Sequence, residues 1–234
     1  MPASGAADRA VGVQCAVADH GAAGQGRQGS AETVAAVALA PAGATLGQVA
    51  AERAAAQTER RCVDRTVKDR SAHRDNAGIF FTKSFTDYTA EEFKSLVSTN
   101  LEGFLYVTQL AIKEMLAQKA GGSIVTITAA LARNPIRGVP AAVPMITKGG
   151  LETITQHLAM EYAKDGIRVN AVAPGAVYTP LHRDTPKDVM ESLSPMGRPS
   201  TVKDITDAVM YLTDAATVTG HILYVDGGAH FGRW

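Results

Sequence analysis

Residues 139–172 read VPAAVPMITKGGLETITQHLAMEYAKDGIRVNAV, and the fold is decided there. Leu151, Ile154, Leu158 and Tyr162 recur at helical spacing, which predicts a helix over Thr147–Lys164 with Lys148 at its start. Gly166 closes that helix. A β-branched run, Arg168–Ala173, follows as a strand and ends at Pro174-Gly175.

The same alternation extends in both directions. Glu91–Gln118 carries Phe93, Leu96, Val97, Leu101, Phe104, Leu105 and Met115 at helical spacing, and Gly121-Gly122 breaks it. Ser123–Thr128 (SIVTIT) is the next strand. Further on, Thr201 and Asp204 form a capping box, with Asp in place of the usual Glu. Ile205, Ala208, Val209 and Leu212 then make a buried stripe. Ile222–Val225 is a last strand, ending at Asp226-Gly227-Gly228. Strands separated by helices of this length imply an α/β fold, a doubly wound parallel sheet.

Residues 1–75 differ. They contain no Ile, Phe, Tyr or Trp, and their only leucines are Leu39 and Leu46. Alanine favours helix but buries little surface, so this Ala/Gly-rich segment is expected to be irregular or incomplete as part of a sheet. The division expected is therefore 1–75 and 76–234. The run Lys68–Asp75 is too charged for a buried central strand, since unpaired interior charges cost several kcal/mol each. Gly24-x-Gly26-x-x-Gly29 fits a dinucleotide glycine pattern in form only, because Val11–Val17 before it is a poor strand. Ser30–Leu39 is the helix that pattern would need.

The 234 residues suit one domain with a full core, and the formal net charge is zero. A neutral chain favours neither nucleic acid nor an anionic membrane. No apolar run approaches the roughly 18 residues that span a bilayer, and the N-terminus lacks a secretory pattern. Cys15 and Cys62 form no C-x-x-C pair, and the six histidines have no ligand spacing. These features point to a cytoplasmic protein without a metal site.

Asn76-Ala77-Gly78, Asn100 within Thr99–Gly103, Thr147–Leu151, Arg168–Gly175, Val218-Thr219-Gly220 and Tyr224–Gly228 together resemble the short-chain dehydrogenase/reductase family. The likeness runs from about Asn76 to the C-terminus and implies a Rossmann-like fold. It implies NAD(P)-dependent carbonyl reduction or alcohol oxidation on a small molecule, by a dimer or tetramer. By the same resemblance, the helices from Glu91 and Thr147 form the subunit interface. Asn76, Ala77 and Gly78 would lie beside NAD or NADP, and Lys148 would hold the nicotinamide ribose. The loop Pro174, Gly175, Val177 and Thr179 would cover the nicotinamide, with the Val177 backbone and the Thr179 hydroxyl on its carboxamide. Asn100 and Lys148 match two of the family's four catalytic positions, Asn100 by helping to hold a relay water.

The other two positions depart from the pattern. The tyrosine belongs four residues before the lysine, where its phenol is activated by the neighbouring charge, and here that residue is Pro144. Proline also restricts Val143 away from helix. The serine belongs just past SIVTIT, where the chain reads Thr128-Ala129-Ala130. Thr128 could replace it only if it faced the site, and Tyr178 is the one phenol near the covering loop. General acid catalysis is worth roughly 10²–10⁴-fold, so impaired activity is expected. The alternatives are a non-catalytic relative serving as a subunit or binding module (a pseudoenzyme), or a non-functional product with a frame-shifted N-terminus. The sequence leaves the substrate and the choice of NAD or NADP open.

Overall fold

The computed structural model describes residues 72–232. The Gly24–Gly29 pattern, Ser30–Leu39, Cys15 and Cys62 lie outside them, as does the character of residues 1–71. Four strands form one parallel sheet in the order β1 (Ala72–Asp75), β2 (Gly122–Ile127), β3 (Ile167–Pro174) and β4 (Ile222–Val225). The register pairs Arg74 with Val125, Ile124 with Val169, and Val172 with Leu223.

Helices cover both faces. On one face Ile124, Ile167 and Val169 pack against Ala111, Ile112 and Met115 of α2 (Gly103–Gln118) and Ala159 of α3 (Ala142–Glu161). On the other, Val125 and Val172 pack against Ala208 and Leu212. Those two lie on α5 (Val202–Asp214), which follows the short α4 (Lys187–Ser192). This is the doubly wound parallel arrangement that the alternation of elements predicts.

β1 refines one expectation: the last four residues of the charged run, Ala72–Asp75, do supply a strand, which stands at the edge of the four described strands. Its ionisable residues are accommodated separately. The His73 imidazole is buried and held at about pKa 4, by burial first and then by Arg74, so it sits in the sheet uncharged. Asp75 is buried and accepts the N–H of Ala77 at 3.4 Å. Arg74 is only half-buried. The penalty for interior charge applies to unpaired ions, and a neutral imidazole avoids it.

The long first helix is also not uniform. α1 (Ala90–Val97) leads into a π-helical turn at Ser98–Glu102, and α2 continues from it. Periodicity alone predicted one unbroken helix. α3 begins at Ala142, five residues before the expected start, so Val143 is helical after all. Pro144 stands in the first turn, where its missing N–H would have no intrahelical partner. Burial of Val143 and Pro144 draws that turn into the core.

The Arg168-Val169-Asn170 triplet has a structural explanation. The Arg168 guanidinium donates to Leu212 O at 2.8 Å and Thr213 O at 2.6 Å, satisfying the last carbonyls of α5. Asn170, fully buried, donates to Val218 O at 2.9 Å and accepts from His221 N at 3.0 Å, which fixes the approach to β4. The capping box at Thr201 and Asp204 forms as predicted.

Candidate functional site at the carboxyl edge of the sheet

Parallel α/β sheets take their ligands beyond the carboxyl ends of the strands. Here the segments after β1, β2, β3 and β4 all emerge on that edge. Asn76–Gly78 follow β1, Thr128–Arg133 follow β2, and Gly175–Thr179 follow β3.

Asn100 is buried in the π turn and faces the backbone after β1. Its Oδ1 accepts Ile79 N–H at 2.8 Å, and its Nδ2 donates to Ile79 O at 3.1 Å and to Thr147 Oγ1 at 2.9 Å. Thr147, fully buried, donates in turn to Pro144 O at 2.7 Å. A polar chain thus joins the strand end, the π turn and the first turn of α3. Thr147 is a participant that sequence reasoning missed. Its only signal was a hydroxyl next to the lysine on a buried helix face.

The Lys148 ammonium donates to Ile127 O at 2.8 Å. Burial pushes its pKa below the ordinary lysine value, and the charge of Asp75 partly opposes that shift. Gly78 lies against the same two residues. A Cβ there would come within 3.4 Å of both Asn100 Oδ1 and Lys148 Nζ. Gly78, Asn100 and Lys148 are therefore brought together.

The loop after β3 is held by a parallel bridge between Val177 and Ser200. Its bonds run from Tyr178 N to Ser200 O at 3.0 Å and from Ser200 N to Ala176 O at 2.9 Å. Val177's own N–H and C=O take no part in them. Thr179 precedes a short 3-10 helix without capping it through its side chain, and Tyr178 is exposed. At Gly175 a Cβ would strike the Asp226 backbone at 2.9 Å, so only glycine fits where β3 and β4 end together.

Thr128 does not face Lys148. Its hydroxyl lies 3.3 Å from Glu152 Oε1 and 3.3 Å from Val172 O. Glu152 is fully buried on α3, one turn beyond Lys148, and accepts Arg133 Nε at 2.7 Å. Among the described residues no cluster of three metal-ligating side chains occurs, and no helix is long and apolar enough to cross a membrane.

The residues that could hold the nicotinamide end of a dinucleotide lie on this carboxyl edge. Two ammonium protons of Lys148, the backbone of Val177 and the hydroxyl of Thr179 are polar groups suited to ribose and carboxamide. The family model described as Enoyl-(Acyl carrier protein) reductase matches residues 5–230, a span that includes most of the segment without legible family motifs. A tropinone reductase homologue of Arabidopsis thaliana is 36% identical over 162 residues, covering 66% of this chain and 60% of the relative. The chain thus spans about three fifths of that relative's length. Carbonyl reductase family member 4 of Xenopus laevis is 32% identical, covering 74% of this chain and 73% of the relative. The solved structure of ElxO with NADP bound superposes with a TM-score of 0.68 at 26% identity, covering 75% of each chain. With a sheet of this topology and a family match over nearly its whole length, the chain belongs to the short-chain dehydrogenase/reductase family.

Proposed function

We propose that this chain is an NAD(P)-dependent oxidoreductase scaffold that retains the cofactor-holding part of its site and is impaired in proton transfer. One observation carries the reading. Pro144 stands one helical turn before Lys148, buried, and presents only its carbonyl, which already accepts the Thr147 hydroxyl at 2.7 Å. The cofactor would supply or accept the hydride. Lys148 would hold the ribose, Val177 and Thr179 the carboxamide, and Asn76–Gly78 would line the approach. Asn100 would fix the strand end against α3. ElxO, a similar protein, was solved with NADP, which supports this cofactor class.

Apart from the Lys148 ammonium, which this reading assigns to the ribose, none of the described residues at this edge is placed to deliver a proton to a carbonyl oxygen. Ala129 and Ala130 offer no hydroxyl, Thr128 faces Glu152, and Tyr178 points to solvent. Loss of a general acid reduces rate by roughly 10²–10⁴-fold. Leu105, Tyr106 and Leu110 on α2, with Ile146 and Met160 on α3, are exposed. They support a homo-oligomer through these helices, and with it the alternative of a non-catalytic subunit.

The test is fluorescence titration with NADH and NADPH, together with turnover of small carbonyl compounds. Binding with turnover far below the ordinary range of about 1–10³ s⁻¹ is expected. Pro144→Tyr combined with Ala130→Ser should raise turnover at least tenfold. Ordinary turnover by the unaltered protein would refute the impairment. Failure to bind either dinucleotide would refute the scaffold reading and favour a chain without this function.

A further inference from the structure

Glu152 and Arg133 form an ion pair of unequal burial. The Glu152 side chain is 0% exposed and that of Arg133 is 52% exposed. Glu152 Oε2 accepts Arg133 Nε at 2.7 Å, and Oε1 lies 3.3 Å from Thr128 Oγ1. Both carboxylate oxygens are thus engaged, while the guanidinium is held by Nε alone. Four of its five N–H donors sit on the terminal nitrogens. Among the described residues no acceptor bonds them. A flexible surface arginine would have no such anchor. Here a buried carboxylate fixes the plane of the guanidinium, so less rotamer freedom is lost when its free edge is used.

Position adds to this. Arg133 caps the short 3-10 helix Ala130–Ala132 just beyond β2, on the carboxyl edge where parallel sheets take ligands. The C-terminal turn Ala229–Phe231 lies against that 3-10 helix. We propose that Arg133 binds the carboxylate of the ligand accepted at this edge, which makes that ligand a small oxo- or hydroxy-acid. The proposal deepens the oxidoreductase reading by naming a substrate class, and rests on it for the acid's oxo or hydroxy group.

Charge favours a monoanion. Glu152 already neutralises one unit of Arg133's charge, and Asp226 is a further anion that acts on the adjacent Tyr224. A phosphate dianion would call for a second cation. A carboxylate needs only two parallel N–H groups, which the terminal nitrogens provide.

The test uses the full-length protein without dinucleotide, with 3-oxobutanoate and its methyl ester as probes in saturation-transfer NMR. The acid should bind about tenfold tighter than the ester, as a bidentate charge-assisted contact allows. Arg133→Gln should abolish that preference, and Arg133→Lys, which keeps the charge without the fork, should restore less than half of it. If Arg133→Gln fails to fold, Arg133→Gln combined with Glu152→Gln leaves no unpaired buried carboxylate and should show the same loss. Equal binding of acid and ester by the unaltered protein would overturn the proposal. So would a preference that survives in either folded glutamine variant, or inorganic phosphate displacing the acid at sub-stoichiometric amounts. Acid binding in a protein that fails to bind NADH and NADPH would leave Arg133's role standing and defeat only the cofactor reading.

Discussion

Replacing Asn100 with alanine removes three hydrogen bonds at the point where β1, the π turn and α3 meet. They are the bonds to Ile79 N at 2.8 Å, Ile79 O at 3.1 Å and Thr147 Oγ1 at 2.9 Å. At about 1 kcal/mol net for each bond, the loss is about 3 kcal/mol. Alanine's better helix propensity returns roughly 0.5 kcal/mol. Thr147 keeps its bond to Pro144 O, so that hydroxyl adds no orphan donor. Asn100→Ala is therefore expected to lower stability by about 2–3 kcal/mol. Asn100→Asp is a sharper probe. It keeps the acceptor for Ile79 N–H but turns a carboxylate oxygen toward Ile79 O. Burial and that carbonyl would raise the new carboxyl's folded pKa above its unfolded value of about 3.9, outweighing the nearby Lys148 ammonium, which is already bonded to Ile127 O. Above the unfolded pKa the unfolded state then binds fewer protons than the folded state, so the deficit grows as pH rises. Urea denaturation of both variants at pH 5 and pH 8 measures this. An Asn100→Ala deficit under about 1 kcal/mol would refute the reasoning, as would an Asn100→Asp deficit equal at the two pH values.

His73 should make the fold acid-sensitive. Its folded pKa of about 4 lies below the ordinary 6.5, so the unfolded state binds more protons in that window and stability falls as pH drops through it. His73→Gln should flatten the dependence of the urea midpoint on pH between these values, and an unchanged slope would exclude the assignment. Leu212 is fully buried between β2, β3 and its own helix. Leu212→Ala should cost about 3 kcal/mol, read from chemical denaturation, and a cost below about 1 kcal/mol would mean that this face of the sheet is not closed as described.

Where side chains of the described region are large and regularly spaced, the sequence was enough to place the elements. β2, β3, β4 and α5 follow from β-branched runs, a helical stripe and a capping box. β1 was illegible because its residues look ionic, and only the tertiary environment shows that His73 is neutral. The start of α3 was missed because proline argues against helix locally, although at the third helical position it gives up no bond. Asn100 and Lys148, which both lie against Gly78 in the fold, were singled out from resemblance. The Arg133–Glu152 pair was not, because the two are 19 positions apart and neither lies in a recognised motif.

The π turn at Ser98–Glu102 sets the rotational phase of the whole segment. Leu96 and Phe104 are both buried, eight positions apart. In an uninterrupted α-helix eight residues overshoot two full turns by about 80°. The wider turn takes up that excess, so the two side chains can enter the same interior. Deleting a single residue from Ser98–Glu102 would leave Leu96 and Phe104 seven positions apart, which a regular α-helix already brings to within about 20° of each other, so both would stay inside. The extra residue of the wider turn therefore serves Asn100, buried there and bonded to Ile79 and Thr147, rather than the apolar packing.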